Sequence, residues 1–145
     1  MNDYSFQPYL KKRISNSYAQ DTVLQKILDR YCKKVHLTHR KELHALADYV
    51  YHEMFHLSYV ASLTENEPKL CAWDAYHRRI DHIEICSETQ KIHHDIFLKK
   101  LGFVSSHPTL HYAKLYLVAQ NGEAGVCCAL ACTDGMERIL RRFKS

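Results

Sequence analysis

Several patterns that announce a function are missing from this sequence. It holds six cysteines, Cys32, Cys71, Cys86, Cys127, Cys128 and Cys132, yet no CxxC pair, so neither a zinc ribbon nor a thioredoxin-like redox motif is written in it. The opening MNDYSFQPYLKKR carries no apolar signal region, which makes reduced thiols in a cytoplasmic protein the expectation. No run of five or more basic residues occurs, and the net charge of +4 is scattered; a solvated surface accounts for it better than a nucleic-acid tract. The longest weakly charged run, Leu115 to Thr133, contains Gln120, Asn121 and Glu123 and suits a buried helix rather than a membrane span. There is no G-x-S-x-G, no P-loop and no dinucleotide glycine fingerprint, and neither an internal repeat nor a low-complexity linker. What remains is 145 residues. That suits one domain, long enough to bury about two thirds of its unfolded surface.

Apolar spacing predicts a mainly α protein, a helical bundle of about five helices. Residues 1–20 read as extended, with Tyr4, Phe6, Tyr9 and Leu10 as anchors. Thr22-Val-Leu-Gln25 fits a capping box opening a helix to about Lys34, with Leu24, Ile27, Leu28 and Tyr31 at helical spacing. A longer helix spans about Thr38 to Leu63, its stripe made of Leu43, Leu46, Ala47, Val50, Met54, Leu57 and Ala61. Thr64-Glu-Asn-Glu-Pro68 ends it, since proline disfavours helix in the residue before it. Between the second and third helices, residues 69–86 break the pattern. Asp81-His-Ile-Glu-Ile85 alternates polar and apolar, as a half-buried strand does, with Asp74–His77 as the turn of a short β-hairpin. Ser87-Glu-Thr-Gln90 resembles a second capping box, opening a helix to Leu101, with Ile92, Ile96, Phe97 and Leu101 inward and Gly102 as its stop. Pro108 suits a first helical turn. The stretch Thr109–Ala131 reads as a central buried helix, whose glycines either serve close packing or mark a break near Gly125. Asp134 caps a last helix whose stripe is Met136, Ile139, Leu140 and Phe143.

Of the chemical patterns, the sharpest is His52-Glu53-Met54-Phe55-His56. It fits H-E-x-x-H, in which histidines one helical turn apart hold zinc and the glutamate serves as base. A third ligand would have to come from Glu65 or Glu67, and the histidines project away from the Leu43–Leu57 stripe. With eleven histidines in the chain, an exposed pair is the plainer account. The pairs His93–His94 and His107–His111 are read as surface or loop residues, because neighbours at i and i+1 do not converge on one ion. Cys127, Cys128 and Cys132 are read as small apolar residues of a buried helix. The tyrosines among basic residues permit single-strand stacking, but Tyr49, Tyr51, Tyr59, Tyr112 and Tyr116 fall on helices and suit packing. No nucleophile–base pair is legible.

Trp73-Asp-Ala-Tyr-His77-Arg78-Arg79-Ile80-Asp81 resembles the aromatic–Gly–Arg–Arg–Val–Asp segment near the start of acyl-CoA dehydrogenases of the adaptive-response, AidB-type branch. Gln120-Asn-Gly-Glu-Ala-Gly125 and Cys132-Thr-Asp-Gly-Met136 resemble two further segments of the first helical domain of that family, in the same order. One departure is His77, which stands where the family has glycine, a residue that tolerates backbone angles histidine resists. The resemblance implies the N-terminal domain or a split subunit of an FAD-dependent oxidoreductase. FAD would be bound in the complete enzyme and not by this chain alone. A flavin-binding β domain and a C-terminal helical domain, in cis or as a separate subunit, are the implied partners, with an acyl-CoA-type substrate and an oligomeric assembly; membrane and nucleic acid are not. The catalytic carboxylate of the family comes from the later bundle, so no catalytic residue is carried over. The first domain forms one wall of the acyl pocket, which places Cys132, Thr133 and Asp134 nearest the acyl chain or flavin edge. It also predicts an apolar exposed face. Two other readings stand beside it: a stand-alone helical interaction module, and a zinc enzyme using His52 and His56.

Overall fold

The computed structural model describes residues 17–98, 107–121 and 124–143. The architecture is the expected one, a helical bundle with a two-stranded antiparallel hairpin after the long helix. The anchors Tyr4, Phe6, Tyr9 and Leu10, and likewise Leu101, Gly102 and Val104, lie outside the described residues.

The short helix α1 (Ser17–Gln20) precedes the long helix α2 (Thr22–Tyr49), so the extended reading fails for its last residues. The cap of α2 is Asp21, one residue before the predicted threonine: Leu24 N–H donates to Asp21 Oδ1 at 2.7 Å, which satisfies an otherwise free amide of the first turn. Gln25 reaches back instead to the Tyr18 and Ala19 carbonyls, at 2.8 and 3.1 Å. The chain does not break between Lys34 and Thr38. It kinks at Cys32 (φ −150°, ψ 41°) and continues helical. The kink is held by three groups: Nε2 of the buried His36 is hydrogen-bonded to the Tyr18 hydroxyl at 2.5 Å, and its Nδ1 lies 2.7 Å from Asp29 Oδ1. Tertiary partners thus keep one turn helical where local sequence signalled a stop.

The helix then passes through a π-helical turn, Val50–Met54, into α3 (Phe55–Ala61). Leu43, Leu46, Ala47, Val50 and Met54 are buried as the stripe predicted. After a 3₁₀ turn at Thr64–Asn66 come β1 (Lys69–Trp73) and β2 (Arg79–Glu84). Contrary to the half-buried reading, every residue of β2 is exposed. Two side-by-side residues, Ile80 and Asp81, lie opposite Ala72 alone, since Cys71 pairs with His82 and Trp73 with Arg79. This bulge, with Asp81 at φ 44°, breaks the alternation on which the strand reading rested. His77 in the turn adopts φ 56°, the left-handed conformation that the glycine of the resembling segment would take without strain. Asp74 organises the turn by accepting from the Tyr76 and Arg78 amides at 2.8 and 2.9 Å.

Helix α4 (Ser87–His93) starts after Cys86, with Ser87 inside it rather than capping it; its hydroxyl bonds Glu88. A second π turn, His94–Leu98, comes next. The two π turns are tied together at a buried carboxylate. Asp95, 1 % exposed, accepts from the Tyr49 hydroxyl at 2.5 Å and from Lys91 Nζ at 2.8 Å. Burial, then the Asp95 bond, push the Tyr49 phenol far above its ordinary value. Ile92 and Ile96 fill the core as expected.

The predicted central helix is two helices, α5 (Pro108–Ala119) and α6 (Ala124–Phe143). They part at Gln120–Asn121, where buried Asn121 donates to the Val118 carbonyl and accepts from Ser58 Oγ of α3 at 3.4 Å. Helix α6 runs straight through Asp134 and Gly135, so Asp134 caps nothing. Lys114 of α5 is buried and ion-pairs with Glu42 of α2, locking the two helices that carry most of the core.

Candidate functional site

Helices α5 and α6 present the surface on which the sequence placed its site. Helix α6 packs against α5, and Val126 and Leu130 are its buried apolar side chains. Further along the same side, Asp134 takes their place. Its Oδ2 accepts from Arg138 Nε at 2.8 Å, and its Oδ1 lies 2.9 Å from Nε2 of buried His111 on α5, close enough to pair but without hydrogen-bond alignment. Arg138 also covers the Tyr112 ring, 5.3 Å from its centroid. The Arg138 guanidinium, against the opposing effect of partial burial and with a smaller contribution from His111, holds Asp134 below the usual carboxylate range. This cluster fastens the middle of α6 to α5.

The opposite side of α6 is different. Cys128, Cys132, Met136, Ile139 and Phe143 recur every three or four residues and therefore share one face. All are exposed: Met136 at 64 %, Ile139 at 59 % and Phe143 at 81 %. A side chain at Gly135 would meet open space. Four of the helix's charged residues, Asp134, Glu137, Arg138 and Arg141, are paired among themselves on the other side. The buried reading of Cys128 and Cys132 is thus corrected: both are exposed, and Cys127 is half-buried. The stripe that was expected to define the last helix is present but points outward.

Beside this face the surface is grooved. Tyr112 and Tyr116, one turn apart on α5 and both exposed, form a ridge between two hollows. One, of about 340 Å³, lies between α5 and α6 and is lined by Leu115, Ala119, Cys127, Leu130 and Ala131 as well as the two tyrosines. The other, of about 480 Å³, runs between the start of α2 and α5 and is lined by Val23, Leu24, Ile27, Thr109 and Ala113. The Tyr116 hydroxyl donates to Asp21 Oδ2 at 2.8 Å, so the residue that caps α2 also holds the ridge. Sequence reasoning placed Ile27 at helical spacing with Leu24 and Leu28 and assigned the tyrosines to packing; the i, i+4 repeat of Tyr112 and Tyr116 was the available signal for a ridge.

The predicted site residues divide. Cys132 belongs to the uncovered face. Thr133 is exposed but its hydroxyl is given to the Ala129 carbonyl at 2.8 Å. Asp134 is turned to α5 and occupied by Arg138 and His111. The histidine pair of H-E-x-x-H is exposed, His52 inside the first π turn and His56 in the first turn of α3, with Glu53 3.5 Å from Lys91 Nζ. Among the described residues, no three histidine, cysteine, aspartate or glutamate side chains gather where a metal ion could be held. Nor, among them, is any helix long and apolar enough to cross a membrane.

Over residues 8–145 the sequence matches the family described as the adaptive response protein AidB N-terminal domain. The chain belongs to that family. It is thereby part of an acyl-CoA dehydrogenase-like protein, and the mainly helical fold with its inserted hairpin is that of an AidB N-terminal domain. No curated protein and no solved structure matches the chain. As in the AidB family more widely, further domains accompany such a domain in the whole protein.

Proposed function

We propose that this AidB-type domain forms one wall of the acyl and flavin pocket of an acyl-CoA dehydrogenase-like oxidoreductase. A flavin-binding β domain and a C-terminal helical domain, in cis or as a separate subunit, supply the rest. The observation that carries the reading is the uncovered face of α6. A helix some 30 Å long, by the usual rise per residue, exposes a stripe of cysteine, methionine, isoleucine and phenylalanine with no charge in it. Contiguous apolar surface of that kind marks a place where other protein or a ligand sits.

The residues present suit a wall better than a cofactor cradle. The hollow between α5 and α6 is lined by apolar and aromatic side chains. Arg138 and Arg141, two of the three arginines of α6, are already paired with Asp134 and Glu137. Such a surface accommodates an acyl chain or the edge of a ring system and leaves the phosphates of FAD to the other domains. The flavin, when bound there, supplies the redox chemistry, and this domain positions substrate and excludes water. Cys132 is the predicted residue facing the pocket; Asp134 keeps α6 against α5 behind it, and the Thr133 hydroxyl is spent on the Ala129 carbonyl of its own helix.

The test is complex formation. Purified chain, alone, takes up no stoichiometric FAD. Joined with the β and C-terminal helical domains it yields a flavin-containing complex, and Met136→Glu with Ile139→Glu abolishes that complex while helix content by circular dichroism is unchanged. A stoichiometric yellow complex of the chain alone, or full flavin content with both glutamates in place, refutes the proposal.

A further inference from the structure

The hollow between the start of α2 and α5 lies on the far side of the Tyr112–Tyr116 ridge from α6, and the proposed pocket makes no use of it. It measures about 480 Å³, with Val23, Leu24, Ile27, Ala113 and the two tyrosines in its walls. Val23 is 66 % exposed and Ile27 44 %. Tyr31, one turn further along α2 and also exposed, continues the stripe. Asp21 is the only charged residue that lines the hollow, and both of its carboxylate oxygens are taken, one by the Leu24 amide and one by the Tyr116 hydroxyl. The hollow therefore asks for an apolar occupant.

The chain itself brings one of that chemistry to the place. Ser17, the first residue of α1, is one helical turn from Asp21: its carbonyl accepts from the Asp21 amide at 3.0 Å. Helix α1 is fastened there, with Tyr18 buried and bonded to His36, and with Gln25 bonded to the Tyr18 and Ala19 carbonyls. The point from which the preceding residues depart is thus fixed beside the hollow. Reading back from it, residues 11–16, Lys-Lys-Arg-Ile-Ser-Asn, are mostly polar, and Tyr9 and Leu10 stand just beyond them. Six residues reach up to about 20 Å, whereas Ile27 is only about 9 Å along α2 from Asp21. The match to the AidB N-terminal family begins at residue 8, so Tyr9, Leu10 and the polar stretch belong to the domain as the family defines it. Joined to α1 by so short a stretch, they are presented to the hollow at an effective concentration on the order of millimolar, which a separate molecule of the same chemistry would have to exceed.

We infer that residues 8–16 form a strap that folds back over the start of α2, with Leu10 and the ring of Tyr9 seated in the hollow against Val23, Ile27 and Ala113. The Tyr9 hydroxyl stays at the rim, in water. The two apolar faces of the domain then differ in kind. The α2–α5 face is closed by the domain's own chain, while the α6 face is left for other protein. The strap does not depend on the reading of α6.

Solution NMR of the full chain with labelled methyl groups tests this. Cross-relaxation is expected between Leu10 or Tyr9 and the methyls of Val23, Ile27 and Ala113. A soluble gadolinium chelate broadens the Ile27 methyl weakly and the exposed Ile83 methyl of the hairpin strongly. Tyr9→Ser/Leu10→Ser raises the broadening at Ile27 several-fold and leaves Ile83 unchanged. Ile27→Glu perturbs the hollow from the other side and removes the Leu10 contacts to Val23 and Ala113, with helix content checked by circular dichroism. Absence of any contact from residues 8–16 to these methyls overturns the inference. So does contact that arises only between differently labelled copies, since a second chain would then fill the hollow. Broadening at Ile27 that the serine substitutions do not change overturns it as well.

Discussion

The Glu42–Lys114 pair offers a sharp test of how this bundle is held. Lys114 sits on α5 with its side chain 3 % exposed, while its partner Glu42 on α2 is 49 % exposed and also takes a bond from His39 at 2.7 Å. The pair is therefore asymmetric. Removing the carboxylate strands a buried ammonium, which costs about 3 kcal/mol, the low end for breaking such a pair because water can enter through the vacated side. Removing the ammonium leaves a half-hydrated carboxylate that still has His39, and Lys114→Met keeps the methylene packing, so that change costs about 1 kcal/mol. The double variant Glu42→Gln/Lys114→Met has no stranded charge and lies nearer the Lys114→Met value than the Glu42→Gln value. The assay is urea unfolding followed by far-UV circular dichroism, comparing midpoints at constant slope. Acid adds a second axis. Partial burial alone would raise the Glu42 carboxyl, but hydrogen bonds from Lys114 and His39 overcome it and hold it below the usual range. A lowered carboxyl contributes stability above its unfolded value of about 4.3 and loses it as the pH falls through the folded value. That acid limb should be shallower in Glu42→Gln. Equal costs for Glu42→Gln and Lys114→Met would refute the reasoning, because they would mean that neither charge depends on the other for its burial.

Three further outcomes are expected. His77→Gly removes a non-glycine residue from φ 56° and relieves about 1 kcal/mol of backbone strain, read as slower amide exchange across β1 and β2; unchanged exchange would count against strain in the turn. Tyr49→Phe costs about 1 to 2 kcal/mol by taking a donor from buried Asp95. Because the Tyr49 phenol is raised in the folded state, its contribution is complete below the unfolded value of about 10 and is lost as pH rises beyond it. The alkaline loss of stability should therefore be smaller in the variant, and identical alkaline limbs would argue that Tyr49 is not buried against Asp95. Phe143→Glu on α6 changes the thermal midpoint by no more than a surface substitution does, within about 0.5 kcal/mol, and a larger drop would show that this chain itself covers that face.

How much of this was legible in advance depended on which interaction decided each feature. The apolar stripe from Leu43 to Met54 and the burial of Ile92 and Ile96 were legible, because helical spacing alone fixes which residues share a face. So was the hairpin, from its turn residues. The boundaries were not. Thr22 and Ser87 looked like caps, but Asp21 and Cys86 occupy those positions; at Asp21 a short side-chain hydrogen bond to the Leu24 amide decides the one-residue difference, while Cys86 sits at the cap with no side-chain bond of that kind. The stop read at Lys34–Thr38 did not occur, because Tyr18 and Asp29, distant or on the far side of the kink, grip His36.

The sequence by itself determined that this is a helical domain of the acyl-CoA dehydrogenase-like kind, through period, composition and three short segments in order. Only the tertiary structure decided which way α6 faces. Its two sides are both rich in apolar residues, so periodicity could not rank them; Val126 and Leu130 are buried because α5 lies there, and Asp134 follows them inward to His111, leaving Cys132, Met136 and Phe143 outside. The same holds for β2. Its alternation looked like a buried strand until the bulge at Asp81, a matter of one backbone angle, set Ile80 beside Ile83 on an open face.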